Sequence, residues 1–185
     1  MQRLLPMDWL LRGKRTSLSY AKSDCSAELA ALQERNKGFH KPWVYHGDPD
    51  QYFQKIEVGR TIGLFLWEAT EQLLIGVINI NEPVLGALKS AYLGYYIDAK
   101  FAGQGHMTEG LALALNYAFS VRGFHRLEAN IQPANLASIG LVKRLGFRRE
   151  GFSPKYLCIN DVWCDHERWA ILAEDWEALS KAQLR

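Results

Sequence analysis

Two glycines one residue apart constrain this chain more than any other feature. They lie in Ala102-Gly103-Gln104-Gly105-His106-Met107, between the strand-like Leu93-Gly94-Tyr95-Tyr96-Ile97 and the apolar run Leu111 to Phe119, which follows Thr108-Glu109-Gly110. Backbone without Cβ atoms can turn its N–H groups towards a ligand. A helix opening at that turn adds unpaired donors and a partial positive charge, so the product is an anion cradle. A plain tight turn fits the same residues, and the glycines alone do not separate the two readings.

The chain around this turn reads as an α+β domain with a mixed, mainly antiparallel sheet. Strand patterns cover Thr16 to Tyr20, Thr61 to Trp67, Leu73 to Ile80, Ala91 to Ile97 and Arg126 to Gln132, the second and third forming a hairpin. Helices are expected over Asp24 to Lys37, Thr108 to Val121, with Gly123 ending it, and Asn135 to Arg144, with Gly146 at its end. A brief helical stretch is expected within Gln51 to Val58. Phe147 to Glu150 leads through a crossing at Gly151 and Pro154 to strands near Lys155 to Ile159 and Trp163 to Leu172, with Asn160-Asp161 at their tip and a short surface helix from Ala173 to Arg185. Residues Met1 to Gly13 carry Leu4, Leu5, Met7, Trp9 and Leu10, a pattern that fits a docking helix or an untidy leader.

Bulk properties bound the function. The 185 residues suit one domain, and 22 Lys plus Arg against 20 Asp plus Glu give a formal charge of +2, which offers no support for a nucleic-acid-binding surface. Cys25, Cys158 and Cys164 are odd in number and form no CxxC pair, which fits a reducing compartment; the cytoplasm is the expected address. Pro6, Asp8 and Arg12 interrupt the first apolar residues, so neither a signal core nor a membrane span is expected. His40, His46, His106, His125 and His166 show no metal-ligand spacing, so no metal is expected. No GxSxG elbow and no Walker lysine follow the strands.

Three spaced motifs then occur in order. They are Ile97-Asp98-Ala99-Lys100-Phe101-Ala102-Gly103-Gln104-Gly105-His106-Met107-Thr108-Glu109, Pro133-Ala134-Asn135-Leu136-Ala137-Ser138, and Leu145-Gly146-Phe147-Arg148-Arg149-Glu150-Gly151. Together they resemble the GNAT acetyltransferases, and more narrowly the RimJ/RimL-like ribosomal-protein-alanine N-acetyltransferase branch, over about Leu73 to Leu172. The resemblance implies a GNAT-like fold: a twisted sheet whose central strands, here Ala91 to Ile97 and Arg126 to Gln132, splay apart around acetyl-CoA. It places the pyrophosphate on the main-chain amides of Ala102, Gly103, Gln104, Gly105, His106, Met107 and Thr108, and the pantetheine along Tyr96 and Ile97. The chain departs from the family's motif at Ala102, which lacks a long polar side chain, and at Met107.

The same resemblance assigns roles to the next helix. Asn135 is an N-cap in any case and by resemblance also bonds the pantetheine arm. Many family members carry a tyrosine as thiolate acid seven residues after that asparagine, where this chain has Val142; Ser138 matches the serine proposed as acid in the RimJ/RimL-like branch. The general base is open. Glu109 is one candidate, although a carboxylate in a first helical turn needs no catalytic reason. Glu128 is another, and of Asp165 and His166, neighbours on a strand, at most one enters the cleft.

The implied reaction is direct transfer of acetyl from acetyl-CoA to a primary amine, most readily a protein N-terminal α-amine of ribosomal-protein type. An α-amine with pKa near 8 is roughly 10% neutral at pH 7, whereas a lysine near 10.4 is about 0.04% neutral, so an N-terminal acceptor demands less of a base. A small amine acceptor and a CoA-binding module without turnover stay open. The aromatic segment Phe39 to Val58 is a candidate substrate wall or a cap on the core, and monomer and homodimer are equally open.

Overall fold

The computed structural model describes residues 8–183. Eight strands form one sheet in the order β1-β2-β3-β4-β5-β6-β8-β7. They are β1 (Leu11–Arg12), β2 (Thr16–Tyr20), β3 (Thr61–Glu68), β4 (Leu74–Val84), β5 (Ser90–Ile97), β6 (Arg126–Ile131), β7 (Arg148–Ile159) and β8 (Val162–Leu172). Every neighbouring pair is antiparallel except β5 and β6. A parallel pair needs a long crossover, and helix α4, named below, provides it.

Among the described residues six α-helices flank the sheet: α1 (Ser26–Arg35), α2 (Lys37–His40), α3 (Pro49–Glu57), α4 (His106–Asn116), α5 (Leu136–Arg144) and α6 (Ala173–Gln183). Their starts follow from local chemistry. Asp48 caps α3 by accepting from the Asp50 N–H, with Pro49 opening the helix. Asn135 caps α5 by accepting from the Ser138 N–H at 3.1 Å. Helix α4 begins at His106, two residues before the expected Thr108, because Gly105 in the left-handed region serves as its cap. A π-helical segment, Tyr117–Val121, continues directly from its end.

The strands β3 and β4 bury both faces. Leu64, Leu66, Ile78 and Ile80 meet Leu111 and Leu115 of α4 and Ile139 and Val142 of α5. Phe65, Trp67 and Val77 turn to the opposite face, under Leu29 and Leu32 of α1, with Tyr52, Phe53 and Ile56 of α3 around them. One helix layer therefore carries the glycine turn, and the other carries the aromatic segment after α2.

Two expectations need correction. The stretch from Phe147 to Ile159 holds no separate crossing: Arg148–Ile159 is one edge strand, and Gly151 and Pro154 are absorbed by register shifts at Arg149/Gly151 and Ser153/Leu157. Of the N-terminal apolar patch, residues 1–7 lie outside the described residues. The described part is no docking helix, since the Leu10 N–H bonds the Leu18 carbonyl at 2.8 Å and Trp9 stands edge-on to Trp67. No helix among the described residues is long and apolar enough to cross a membrane.

Candidate active site

The parallel pairing of β5 and β6 stops early. It runs from Ser90/Arg126 to Leu93/Ala129 and ends there, while β5 continues to pair with β4 as far as Ile97. Residues Gly94 to Ile97 therefore have one edge bonded to β4 and the other open towards β6. The Asp98 N–H donates to the Ile75 carbonyl of β4 at 2.7 Å. Strand alternation then turns the main chain of Tyr96 towards β4 and the main chains of Tyr95 and Ile97 into the gap. Of the two residues expected along the pantetheine, Tyr96 thus has its main chain turned to β4 and Ile97 has its main chain turned to the gap, where the Ile97 carbonyl accepts from His40 Nε2 at 2.8 Å.

The glycine turn lies just beyond the open edge. Gly103 (φ +73°) and Gly105 (φ +87°) both occupy the left-handed region, where a side chain is strained. A Cβ on Gly103 would meet no atom within 4 Å, so the turn is open on its outer side. Met107 is buried in the core and His106 stands edge-on to Phe101, which leaves main-chain amides and the Thr108 side chain as polar groups of the first turn. The turn also has a cation that the motif does not predict. The Arg15 guanidinium, carried on the turn between β1 and β2, donates Nη1 to the Gln104 carbonyl at 2.7 Å and lies 3.2 Å from a Cβ placed on Gly105.

Glu109 explains why Arg15 is there. Its carboxylate accepts from the Lys14 N–H at 2.8 Å, the Arg15 N–H at 2.9 Å and the Thr16 hydroxyl at 2.9 Å. Burial would raise its pKa, but those bonds prevail and hold the carboxyl below its ordinary value. A carboxylate saturated in this way is a clamp on the β1–β2 turn, a different post from the candidate base of the sequence reading. A cavity of about 500 Å³ adjoins the same turn, lined by Arg15, Gly105 and Thr108 on one side and Arg144 and Trp176 on the other.

Helix α5 faces the gap with its first turn. The Ser138 hydroxyl is hydrogen-bonded to the Tyr95 phenol at 2.7 Å, linking α5 to the open segment of β5. Burial pushes the Tyr95 phenol up to about 12, against a smaller lowering by the Ser138 bond. The Asn135 side-chain oxygen is committed to the Ser138 N–H as N-cap. Val142 is fully buried in the core and offers nothing to the gap.

The opposite face of the gap carries the aromatic segment. His40 Nε2 sits on the Ile97 carbonyl, which requires that nitrogen to hold the proton; His40 Nδ1 is then an acceptor, and His46 Nε2 donates to it at 2.8 Å. Both rings pack against Tyr96, His40 tilted and His46 edge-on, with centroids 5.0 and 4.7 Å away. Burial lowers both imidazoles, His46 to about 4. The segment then crosses the open end of the gap: the Pro42 carbonyl accepts from Gln132 Nε2 and the Lys41 carbonyl from Asn160 Nδ2, at 2.8 and 2.7 Å. Residues 40–46 thus tie β5 to the end of β6 and to the tip of the β7–β8 hairpin.

The remaining candidate bases are placed apart. Glu128 is ion-paired with Arg126 at 2.9 Å. Asp165 is exposed and accepts from the Lys155 N–H at 2.7 Å, whereas His166, on the other side of the strand, is buried with Nδ1 on the Cys164 carbonyl. A cavity of about 370 Å³ lies between Gln132, Pro133 and Ala134 and the hairpin residues Trp163 and Asp165. No group of three ligating side chains converges among the described residues.

Comparison with known proteins agrees with this geometry. A family profile described as acetyltransferase (GNAT) domain matches residues 20–148. A ribosomal protein uS5-alanine N-acetyltransferase of Escherichia coli is 34% identical over 160 residues, covering 80% of this chain and 82% of that protein. RimJ of Mycobacterium smegmatis, solved with CoA-disulfide, superposes with a TM-score of 0.79 at 24% identity, over 91% of this chain and 89% of that one. Spermidine N-acetyltransferase from Vibrio cholerae, solved with CoA and spermine, superposes with a TM-score of 0.76 at 19% identity, over 89% and 99%.

Proposed function

Because the chain belongs to the acetyltransferase (GNAT) family, we propose that it moves the acetyl group of acetyl-CoA directly onto a protein N-terminal α-amine, of the kind borne by a ribosomal protein. The observation that carries the transfer reading is the early end of the β5–β6 pairing at Leu93/Ala129 beside an open glycine turn. An unpaired strand edge that leads to a cluster of helix N-terminal amides accepts an amide-bearing arm with an anion at its far end, which describes pantetheine and pyrophosphate.

In this reading the amides of residues 103–108 and the Arg15 guanidinium hold the pyrophosphate, and the cavity by Arg144 and Trp176 takes the rest of the nucleotide. The main chains of Tyr95 and Ile97 align the pantetheine, and an N–H of that open edge polarises the thioester carbonyl. The amine attacks the carbonyl carbon, the C–S bond breaks, and Ser138 lies on the side of the gap from which the sulfur is protonated.

The acceptor reading rests on charge. A polyamine carries several cations and asks for unpaired carboxylates around the mouth. Here Glu128 is paired with Arg126, Asp98 with Arg35 and Glu167 with Arg149, which leaves Asp165 as the single carboxylate lining the 370 Å³ cavity. A single α-amine that is already partly neutral at pH 7 makes no such demand. The polyamine reading is favoured by the likeness to the spermidine enzyme fold. The two are separated by incubating the protein with acetyl-CoA and either peptides with free N-termini or spermidine, while following free thiol and product mass. Transfer to the peptide α-amine is expected, and transfer to spermidine alone would overturn the acceptor assignment.

A further inference from the structure

Ser138 has a partner that the sequence motifs do not name. The Tyr95 phenol reaches it at 2.7 Å from the open segment of β5, two residues past the last β5–β6 pair. Both groups are fixed. The Ser138 backbone is held by the Asn135 cap in the first turn of α5, and the Tyr95 ring packs against the core beneath α4 and α5. Nothing on α5 offers a phenol at position 142, where Val142 is fully buried.

We propose that Tyr95 supplies, through Ser138, the proton that the departing CoA thiolate takes up. The inference rests on the acetyl-transfer reading and adds to it a positioning residue from a different element. As the C–S bond of the tetrahedral adduct breaks, its electron pair goes to sulfur and the Ser138 Oγ proton forms the S–H bond. The Tyr95 proton passes to Ser138 Oγ in the same motion. The phenolate is then reprotonated by solvent, which has received the proton shed by the acetylated amine, so amine and acetyl-CoA become amide and CoA thiol with no net proton change.

Two physical facts favour a chain over Ser138 acting alone. An aliphatic hydroxyl is a far weaker acid than a phenol, so a proton drawn from Ser138 alone would leave an alkoxide, whereas the relay leaves the charge on an aromatic ring. The Tyr95 phenol is protonated at neutral pH and available as a donor in every turnover, and because burial disfavours its phenolate the ring takes a proton back at once after each transfer. The first turn of α5 adds a partial positive charge close to where the negative charge forms.

The experiment compares wild type, Tyr95→Phe, Ser138→Ala and the double variant. Tyr95→Phe keeps the ring, and melting temperature and CoA titration monitor its fold. Expected is a kcat about 10- to 100-fold lower for Tyr95→Phe with the CoA Kd within about twofold. The double variant is expected to be no slower than Ser138→Ala, since the two groups act in series. In mixtures of H₂O and D₂O, the wild-type rate is expected to bow with deuterium content, as two protons in flight require, and the Tyr95→Phe rate to vary linearly. Wild-type turnover that Tyr95→Phe leaves within twofold, or a linear dependence in wild type, would overturn the relay and leave the proposed function standing. Absence of wild-type turnover on every amine would overturn both.

Discussion

Glu109→Gln separates the clamp from the base. The carboxylate takes three donors: Lys14 N–H on one oxygen, and Arg15 N–H and the Thr16 hydroxyl on the other. A glutamine amide keeps one acceptor and turns its NH₂ towards at least one of those donors, so one bond is lost and the others become neutral. Hydrogen bonds to charged groups contribute about 1.5–3 kcal/mol and neutral ones about 0.5–1.5. After discounting for partial exposure, the loss is about 2 kcal/mol, or a Tm lowered by about 4–8 °C for a chain of this size. The loosened turn also frees Arg15 from the Gln104 carbonyl, and the Kd for CoA is expected to rise about three- to tenfold. Once acetyl-CoA saturates, kcat is expected to stay within about threefold of wild type. The assays are thermal melting, CoA titration and initial rates of thiol release. Loss of a general base would instead cost about 100-fold or more in kcat. A fall of that size with Tm and CoA affinity unchanged would refute the clamp. The pH dependence has a definite sign. A carboxyl held below its ordinary value stabilises the fold above its unfolded pKa of about 4.3, and that stabilisation fades as pH falls through the folded value. Glu109→Gln should flatten this acid-side slope.

Arg15→Ala removes the cation at the glycine turn while leaving the Glu109 contact to the Arg15 main chain intact. CoA affinity is expected to fall about tenfold and its salt dependence to weaken, with Tm nearly unchanged; an affinity equal to wild type across salt concentrations would exclude Arg15 from the cradle. The His40–His46 pair is neutral in the fold, with His46 at about 4 against about 6.5 unfolded, so its contribution is complete above about pH 6.5 and is lost as pH falls towards 4. The unfolding free energy of wild type from urea titration should therefore decline over that window by up to about 1.4 kcal/mol per pH unit for the His46 imidazole, and more gently for His46→Gln; equal slopes would contradict the pairing. Gln132→Ala releases one of the bonds by which residues 40–46 cross the gap, and is expected to raise KM for the amine acceptor more than KM for acetyl-CoA; equal changes in both would refute an acceptor-side role for this segment.

How much of the site could be read from the chain depends on the range of the contacts. The glycine turn, the Asn135 cap and Ser138 lie in short local motifs, and the structure places all three around one gap. Tyr95 differs from its neighbour Tyr96 only in strand phase, and two adjacent tyrosines do not state which one faces the helices. The apolar alternation of Leu93, Tyr95 and Ile97 carries that signal, because Leu93 is buried. Arg15 and Glu109 are 94 residues apart, and nothing at either position names the other. Read locally, Glu109 is a first-turn carboxylate; its function as a clamp exists only once β1 and β2 fold back over α4. The His40–His46 pair is close in sequence, yet its tautomers are fixed by the Ile97 carbonyl, 57 residues on from His40. Pro154, a breaker by local rules, sits within β7 because that strand is an edge that needs no partner on its outer side.

The central claim is that the gap between β5 and β6 presents acetyl-CoA to a protein N-terminal amine. Its most direct test is mass analysis of a peptide with a free α-amine and an internal lysine, together with spermidine, after incubation with acetyl-CoA and the protein. The account predicts one acetyl group on the peptide α-amine, released CoA thiol in equal amount, and an unmodified lysine side chain. Acetyl on spermidine or on the lysine alone, or CoA binding without transfer to any amine, would contradict it.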